Sequence, residues 1–70
     1  MKEYVVVYER AGSNYSAYVP DLPGCIAAAE TIEATEALMK EAIALYLDAL
    51  AEEGEEIPEP QTCARTIQVA

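Results

Sequence analysis

Carboxylates are the most numerous chemically active side chains in this sequence. Thirteen Asp and Glu residues stand against four Lys and Arg residues, and histidine is absent. Carboxylates that converge near strand ends can hold the two metal ions of a hydrolytic site. Most of them fall on one face of a predicted helix and in residues 52–59, and Asp21 is the candidate for such a site near the end of a predicted strand. A solvated acidic surface is therefore favoured over a metal site.

The other reactive side chains form no catalytic set. The absence of histidine removes the usual general base and the commonest metal ligand. Cys25 and Cys63 are far apart and lack a Cys-x-x-Cys spacing, so we expect two small buried apolar residues rather than zinc ligands or a disulfide. The sequence has no nucleophile–base pair and no glycine-rich phosphate loop. We expect no enzyme activity, no cofactor and no metal.

Five residues are candidates for binding a partner protein: Tyr8, Tyr15, Tyr18, Asp21 and Leu22. Tyrosine is enriched at protein interfaces, but the chain has no Phe or Trp, so its tyrosines must also fill the core. Asp21 and Leu22 lie between two prolines and would lose little entropy on binding. The alternative is that residues 20–24 only turn the chain between two strands. We favour the turn there, and we leave interface and core open for the three tyrosines.

One amphipathic helix organises the chain. Apolar residues recur at intervals of three and four over residues 31–53, which predicts a helix with one buried face. Thr31 is the predicted N-cap, and Gly54 is the predicted left-handed residue after the last turn. The predicted buried stripe consists of Thr35, Leu38, Met39, Ala42, Ile43, Tyr46, Leu47 and Leu50. The predicted solvent face consists of Glu33, Glu36, Lys40, Glu41, Asp48, Glu52 and Glu53.

Four short strands accompany this helix. Runs of β-branched, aromatic and small apolar residues predict strands at 4–8, 15–19 and 25–28, with a hairpin loop over 9–14. The alternating stretch 65–69 predicts a final strand. A strand, a crossover helix and a returning strand almost always connect right-handedly, so we expect the final strand beside the first. The predicted fold is α+β, β-β-β-α-β: an antiparallel three-stranded meander, one helix on one face and a fourth strand.

The first predicted strand is apolar on both faces. Tyr4, Val6 and Tyr8 alternate with Val5 and Val7. A single helix covers one face of a sheet, so the other face must stay an apolar patch or be buried against another chain. We therefore expect a homo-oligomer, most simply a two-fold dimer, formed through the uncovered face or through an edge strand.

Size and charge limit the choice of partners. Seventy residues make one small domain near the lower limit for a self-sufficient core. The net charge of -9 repels phosphate, so we expect no direct binding of nucleic acid, whereas a basic protein would be attracted. No apolar run approaches the roughly 20 residues that cross a bilayer, and the N-terminus does not read as a signal peptide. A cytoplasmic location is expected.

The most specific motif is Pro-Asp-Leu-Pro-Gly-Cys at residues 20–25. It follows Tyr-Ser-Ala-Tyr-Val at 15–19 and precedes Glu-Ala-Ile-Ala-Leu-Tyr-Leu at 41–47 and an acidic, proline-containing stretch at 54–60. The order and spacing of these blocks resemble the HicB antitoxin family of type II toxin–antitoxin systems across nearly the whole chain. The resemblance implies a β-β-β-α-β domain, described as ribonuclease H-like or as a partial double-stranded-RNA-binding fold. It also implies a partner, the small basic HicA toxin, an mRNA-cleaving ribonuclease that the antitoxin covers.

The sequence departs from the family pattern in places. Ala29 and Ala34 stand where the family commonly has Gly and an acidic residue. Many HicB antitoxins continue into a DNA-binding domain, whereas this sequence ends at Ala70, so we expect a single HicB-like domain over residues 1–70. The leading hypothesis is an antitoxin that neutralises a basic HicA-type toxin by covering it. The alternative is a solitary degenerate nuclease-like domain, or one that binds a small ligand or a metal, without a toxin partner.

Overall fold

The computed structural model describes residues 2–70. Three strands form an antiparallel sheet in the order β1-β2-β3, where β1 is Val7–Ala11, β2 is Asn14–Tyr18 and β3 is Ile26–Ala29. The helix α1 follows at Ile32–Glu52 and packs against β3 and β2. The predicted α+β class, with a three-stranded antiparallel meander followed by one helix, is confirmed over the described residues.

β1 and β2 are joined by a two-residue turn. Gly12 and Ser13 separate the paired residues Ala11 and Asn14, and Gly12 has a φ of 63°. A positive φ at the first central position alone is what a type II′ turn requires, and such turns match the twist of the flanking strands. The turn therefore carries β1 through to Ala11, and the longer loop predicted over 9–14 is wrong.

The start of β1 is set by the point at which β2 ends. The ladder begins at the pair Val7 and Tyr18, and beyond Tyr18 the chain bends at Pro20. The ladder with β2 therefore does not reach residues 2–6. The strand predicted over 4–8 is paired only at its last two residues. The second strand begins and ends one residue earlier than the predicted 15–19, and the third begins and ends one residue later than the predicted 25–28.

The turn between β2 and β3 is closed by backbone hydrogen bonds. Leu22 N–H donates to the Val19 carbonyl at 3.0 Å, and Cys25 N–H donates to the Leu22 carbonyl at 3.1 Å. Val19 N–H donates back to the Cys25 carbonyl at 3.2 Å. Gly24 has a φ of 88°, a conformation that a residue with a β-carbon rarely adopts. This geometry agrees with the interpretation of residues 20–24 as a turn.

Both predicted ends of α1 form. The Thr31 side-chain oxygen accepts a hydrogen bond from Ala34 N–H at 3.0 Å, which makes Thr31 the N-cap. At the other end, Gly54 has a φ of 73°. The N–H groups of Gly54 and of the next residue donate to two carbonyls of the last turn, at 3.1 and 2.9 Å. These two bonds form a Schellman motif, so the helix ends where the sequence predicts.

The hydrophobic core lies between α1 and one face of the sheet. Its buried apolar residues are Ala17, Val19, Leu22, Cys25 and Met39. Thr35 is also buried, and its hydroxyl donates to the Thr31 carbonyl at 2.7 Å. The half-buried residues around this cluster are Tyr4, Val6, Tyr8, Ala27, Ala42, Ile43, Tyr46 and Leu47. The core therefore contains few fully buried side chains.

The predicted faces of the helix are largely correct. Thr35 and Met39 are buried, the later positions of the stripe are half-buried, and every residue of the predicted acidic face is exposed. Leu38 is 43% exposed, so its place in the buried stripe is wrong.

The two cysteines differ in exposure. Cys25 is buried, which raises the pKa of its thiol, whereas Cys63 is exposed, contrary to expectation.

The final strand predicted over 65–69, beside the first strand, does not form in the single chain. Residues 55–70 have no regular secondary structure, and every residue from 63 to 70 is exposed. Alternating apolar and polar side chains are compatible with a strand, but they do not form the backbone hydrogen bonds that define one. Those bonds require a second strand alongside. The radius of gyration, 13.5 Å, exceeds the roughly 11 Å of a compact chain of this length.

We expect Leu22→Ala to lower the free energy of unfolding by about 2–5 kcal/mol, because truncating a fully buried side chain leaves a cavity. Leu45 is 69% exposed, so Leu45→Ala should change that free energy by less than about 0.5 kcal/mol. Urea denaturation at one fixed protein concentration measures both variants. Similar losses in the two would contradict this placement of the core.

Candidate protein-interaction surface

The sheet face opposite α1 carries a row of apolar side chains. Cross-strand pairing places Val7 opposite Tyr18 and Tyr18 opposite Ile26, so these three residues share one face. We call them the outer row. Tyr18 is 41% exposed, Ile26 is 70% exposed and Val7 is half-buried. Because Ala17 lies in the core and strand neighbours alternate in direction, the outer row points away from the helix.

The three candidate tyrosines do not share one surface. Tyr8 packs half-buried against the core, where burial and the nearby charge of Glu36 raise the pKa of its hydroxyl. The Tyr15 hydroxyl accepts a hydrogen bond from Arg10 Nη2 at 2.8 Å, and the Arg10 guanidinium lies 5.5 Å from the centre of the Tyr15 ring. Tyr18 is the one of the three that belongs to the outer row.

Asp21 is bound to a distant part of its own chain. Its Oδ2 accepts hydrogen bonds from the backbone N–H groups of Gln61 and Thr62, at 3.1 Å each, and its Oδ1 accepts one from the Thr62 hydroxyl at 2.9 Å. These bonds, led by the one from the Thr62 backbone, lower the pKa of Asp21 below its ordinary value of 3.8. We call residues 55–62 the connector. Asp21 therefore anchors the connector to the turn between β2 and β3.

Two further contacts hold the connector against the N-terminal segment, residues 2–6. The Tyr4 hydroxyl donates to the Pro58 carbonyl at 2.5 Å, and Lys2 Nζ lies 2.6 Å from Glu59 Oε1. The hydrogen bond to Glu59 raises the pKa of Lys2. Because both charged groups are exposed, this ion pair adds little to stability. The residues after Thr62 lie beyond all three anchors, and we call residues 63–70 the tail.

The remaining candidate, Leu22, has no exposed side-chain surface in the folded chain. Of the five candidate partner residues, Tyr18 alone presents its side chain on the outer row, whereas Asp21 and Leu22 are used within the chain. The outer-row partners of Tyr18 are Val7, which the sequence already places on an apolar face of the first strand, and Ile26, which the sequence did not single out. Their shared face follows from strand register, which single-residue patterns do not reveal.

The acidic side chains do not converge. Among residues 2–70, no group of three or more His, Cys, Asp or Glu side chains is placed to hold a metal ion. A surface depression of about 450 Å³ is lined by Ala64, Arg65 and Thr66 of the tail.

In the part of the chain that the structure describes, no helix has the length and apolar character needed to cross a bilayer.

Comparison with protein families gives a match over nearly the whole chain. The profile described as "HicB_like antitoxin of bacterial toxin-antitoxin system" covers residues 4–69. The chain belongs to the HicB-like antitoxin family. The matched region includes the sheet, α1, the connector and almost all of the tail, so the exposed tail is part of the family's common sequence.

One curated relative comes from a bacteriophage. This HicB-like chain is 34% identical over 55 residues to the "Uncharacterized 14.9 kDa protein in rep-hol intergenic region" of Haemophilus phage HP1 (strain HP1c1). The alignment covers 79% of the chain and 41% of the phage protein, so the chain spans less than half the length of this relative. No solved structure is a significant match to the chain.

We expect Asp21→Asn to loosen the connector of this HicB-like domain, because an amide cannot accept all three hydrogen bonds that the carboxylate accepts. Amide hydrogen exchange at Gln61 and Thr62 should accelerate by at least about tenfold, which corresponds to 1.4 kcal/mol of local opening. Asp48→Asn, an equal charge change on the exposed helix face, is the matched control. Equal exchange rates in the two variants would contradict the anchor.

The same anchor should weaken in acid. Because the folded pKa of Asp21 lies below 3.8, the ionised carboxylate contributes its full stabilisation above that pH, and the contribution is lost as the pH falls through the lower folded value. In an NMR titration, the Thr62 amide shift should move with a midpoint below pH 3.8. The Asp21→Asn variant should lack this transition.

Proposed function

We propose that this HicB-like chain neutralises a small basic HicA-type ribonuclease toxin by binding and covering it. The family match over residues 4–69 carries the proposal. The net charge of -9 supports it, because opposite charge on a partner accelerates diffusional encounter. The acids on the exposed face of α1 and in the connector supply most of this field.

The outer row is the proposed contact for the toxin. Tyr18 has a large apolar ring and a hydroxyl that can bond across an interface, and Ile26 beside it is largely exposed. Exposed apolar side chains in a row suit partner binding better than isolated ones do. On this proposal, the acidic surface speeds encounter and the outer row supplies affinity after contact.

The antitoxin acts without chemistry of its own on this proposal. Blocking a ribonuclease requires only that its substrate be kept out, so the antitoxin needs no catalytic residue, cofactor or metal. Direct contact with nucleic acid is not part of the role, since Lys2, Arg10, Lys40 and Arg65 are its only cations. An mRNA-cleaving target places the proposed complex in the cytoplasm.

A homodimer also belongs to the proposal. The core contains few buried side chains, and a domain of 70 residues gains stability when it buries more surface against a second copy. The two-fold dimer is the commonest way in which a chain pairs with itself.

We expect Ile26→Asp to weaken the complex with the proposed HicA-type toxin by at least about tenfold in Kd, or 1.4 kcal/mol. Aspartate would place a charge within the desolvated contact. Leu45→Asp is the matched control: Leu45 is 69% exposed and Ile26 is 70% exposed, and the charge change is the same. The control should bind within about twofold of the unmodified chain, because residues outside an interface contribute little.

Isothermal titration with a catalytically inactive toxin measures both Kd values, and an RNA-cleavage assay measures inhibition of the active toxin. If the unmodified antitoxin neither binds nor inhibits the toxin, the proposed function is wrong. If Ile26→Asp and Leu45→Asp bind equally well, the toxin contacts a different surface.

A further inference from the structure

The tail carries the most exposed large apolar side chains among residues 2–70. Ile67 is 86% exposed and Val69 is 82% exposed. They alternate with the polar residues Thr66 and Gln68, a pattern of period two that is typical of a strand with one buried face. A pattern of this kind on a segment without any ladder indicates a strand that lacks its partner edge.

The sheet offers two open edges. β2 is paired on both sides, whereas β1 and β3 are each paired on one side. Open edges present unpaired backbone N–H and carbonyl groups to any added strand. The β1 edge is the better match for the tail. It is continued by the N-terminal segment and carries large apolar side chains on both faces, whereas Ala27, Ala28 and Ala29 make up most of β3.

Charge also favours the β1 edge. The tail contains Arg65 and no acidic side chain. In residues 2–11, Lys2 and Arg10 balance the two acidic side chains. The other acidic residues of the chain all lie between residues 21 and 59. The tail carries no acid to this edge and residues 2–11 have no net charge, while Glu59 of the connector, which contacts the edge, is paired with Lys2.

The anchors show which C-terminal residues are held to their own domain and which could reach a second copy. Asp21 holds the connector up to Thr62, and Tyr4 holds it at Pro58. The hydrogen bonds from the N-terminal segment to the connector are donated by the side chains of Lys2 and Tyr4, so neither uses a backbone group of that segment. The tail begins directly after Thr62, and all its residues are exposed.

We propose that the tail of one copy pairs as a fourth strand with the edge formed by the N-terminal segment and β1 of a second copy, and that the second copy returns its own tail in the same way. Each sheet then has four strands, and one pair of reciprocal contacts closes a two-fold dimer. Ile67 and Val69 lie beside the apolar side chains of the partner's N-terminal segment. This deepens the proposed homodimer and is independent of the toxin.

Sedimentation equilibrium of the full chain tests the dimer. The unmodified protein should be dimeric at micromolar concentration, more strongly at high salt because two acidic chains repel less when screened. The double variant Ile67→Asp, Val69→Asp should raise the dimer Kd by at least about tenfold. Its circular dichroism should be retained, because the tail lies outside the core. Leu45→Asp and Ile26→Asp should remain dimeric, which separates this surface from the proposed toxin contact.

Isotope-filtered NMR on a mixture of labelled and unlabelled chains identifies the pairing. We expect contacts between the methyl groups of Ile67 and Val69 in one copy and the backbone of residues 3–9 in the other. A monomer at both salt concentrations overturns the proposal. So does a dimer that survives the double variant, and so do tail contacts found only within one copy.

Discussion

The turn at residues 20–24 ties together the sheet, the core and the C-terminal part of the chain. Leu22 is fully buried and belongs to the same core cluster as Met39 of α1, so the turn is part of the core. The neighbouring Asp21 binds two backbone amides and a hydroxyl of the connector. Adjacent residues of one turn therefore supply a buried side chain to the core and a polar anchor for the connector. A backbone fixed by prolines and by Gly24 makes both possible.

Local physics accounts for what the sequence predicts well. The N-cap hydroxyl of Thr31 and the left-handed Gly54 act within one helical turn, and both ends of α1 were predictable for that reason. The acidic face follows from the period of the helix. The strands shift because their bounds depend on partners: a two-residue turn at Gly12 lengthens β1 at one end, and the bend at Pro20 removes its partner at the other.

Long-range contacts account for most of what the sequence does not predict. The bonds from Gln61 and Thr62 to Asp21 join residues that no periodicity relates. The outer row likewise depends on register across three strands, so Ile26 cannot be recognised as a neighbour of Tyr18 from the sequence. The absent final strand is a different case. The pattern over 65–69 is typical of a strand, yet within the single chain these residues pair with neither open edge of the sheet.

Three surfaces of the domain are separated by chemistry. The acids occupy the helix face and the connector, the outer row is apolar, and the tail and the β1 edge carry nearly balanced charge. On the two proposals, this separation would let a strongly acidic chain approach a basic partner and also pair with a second copy, since repulsion between copies falls with distance and with salt. A core with few fully buried residues leaves the free chain with a small margin of stability. Any partner or second copy that binds only the folded chain would add to the stability of the fold through mass action, so the proposed self-association and toxin binding would both be linked to folding.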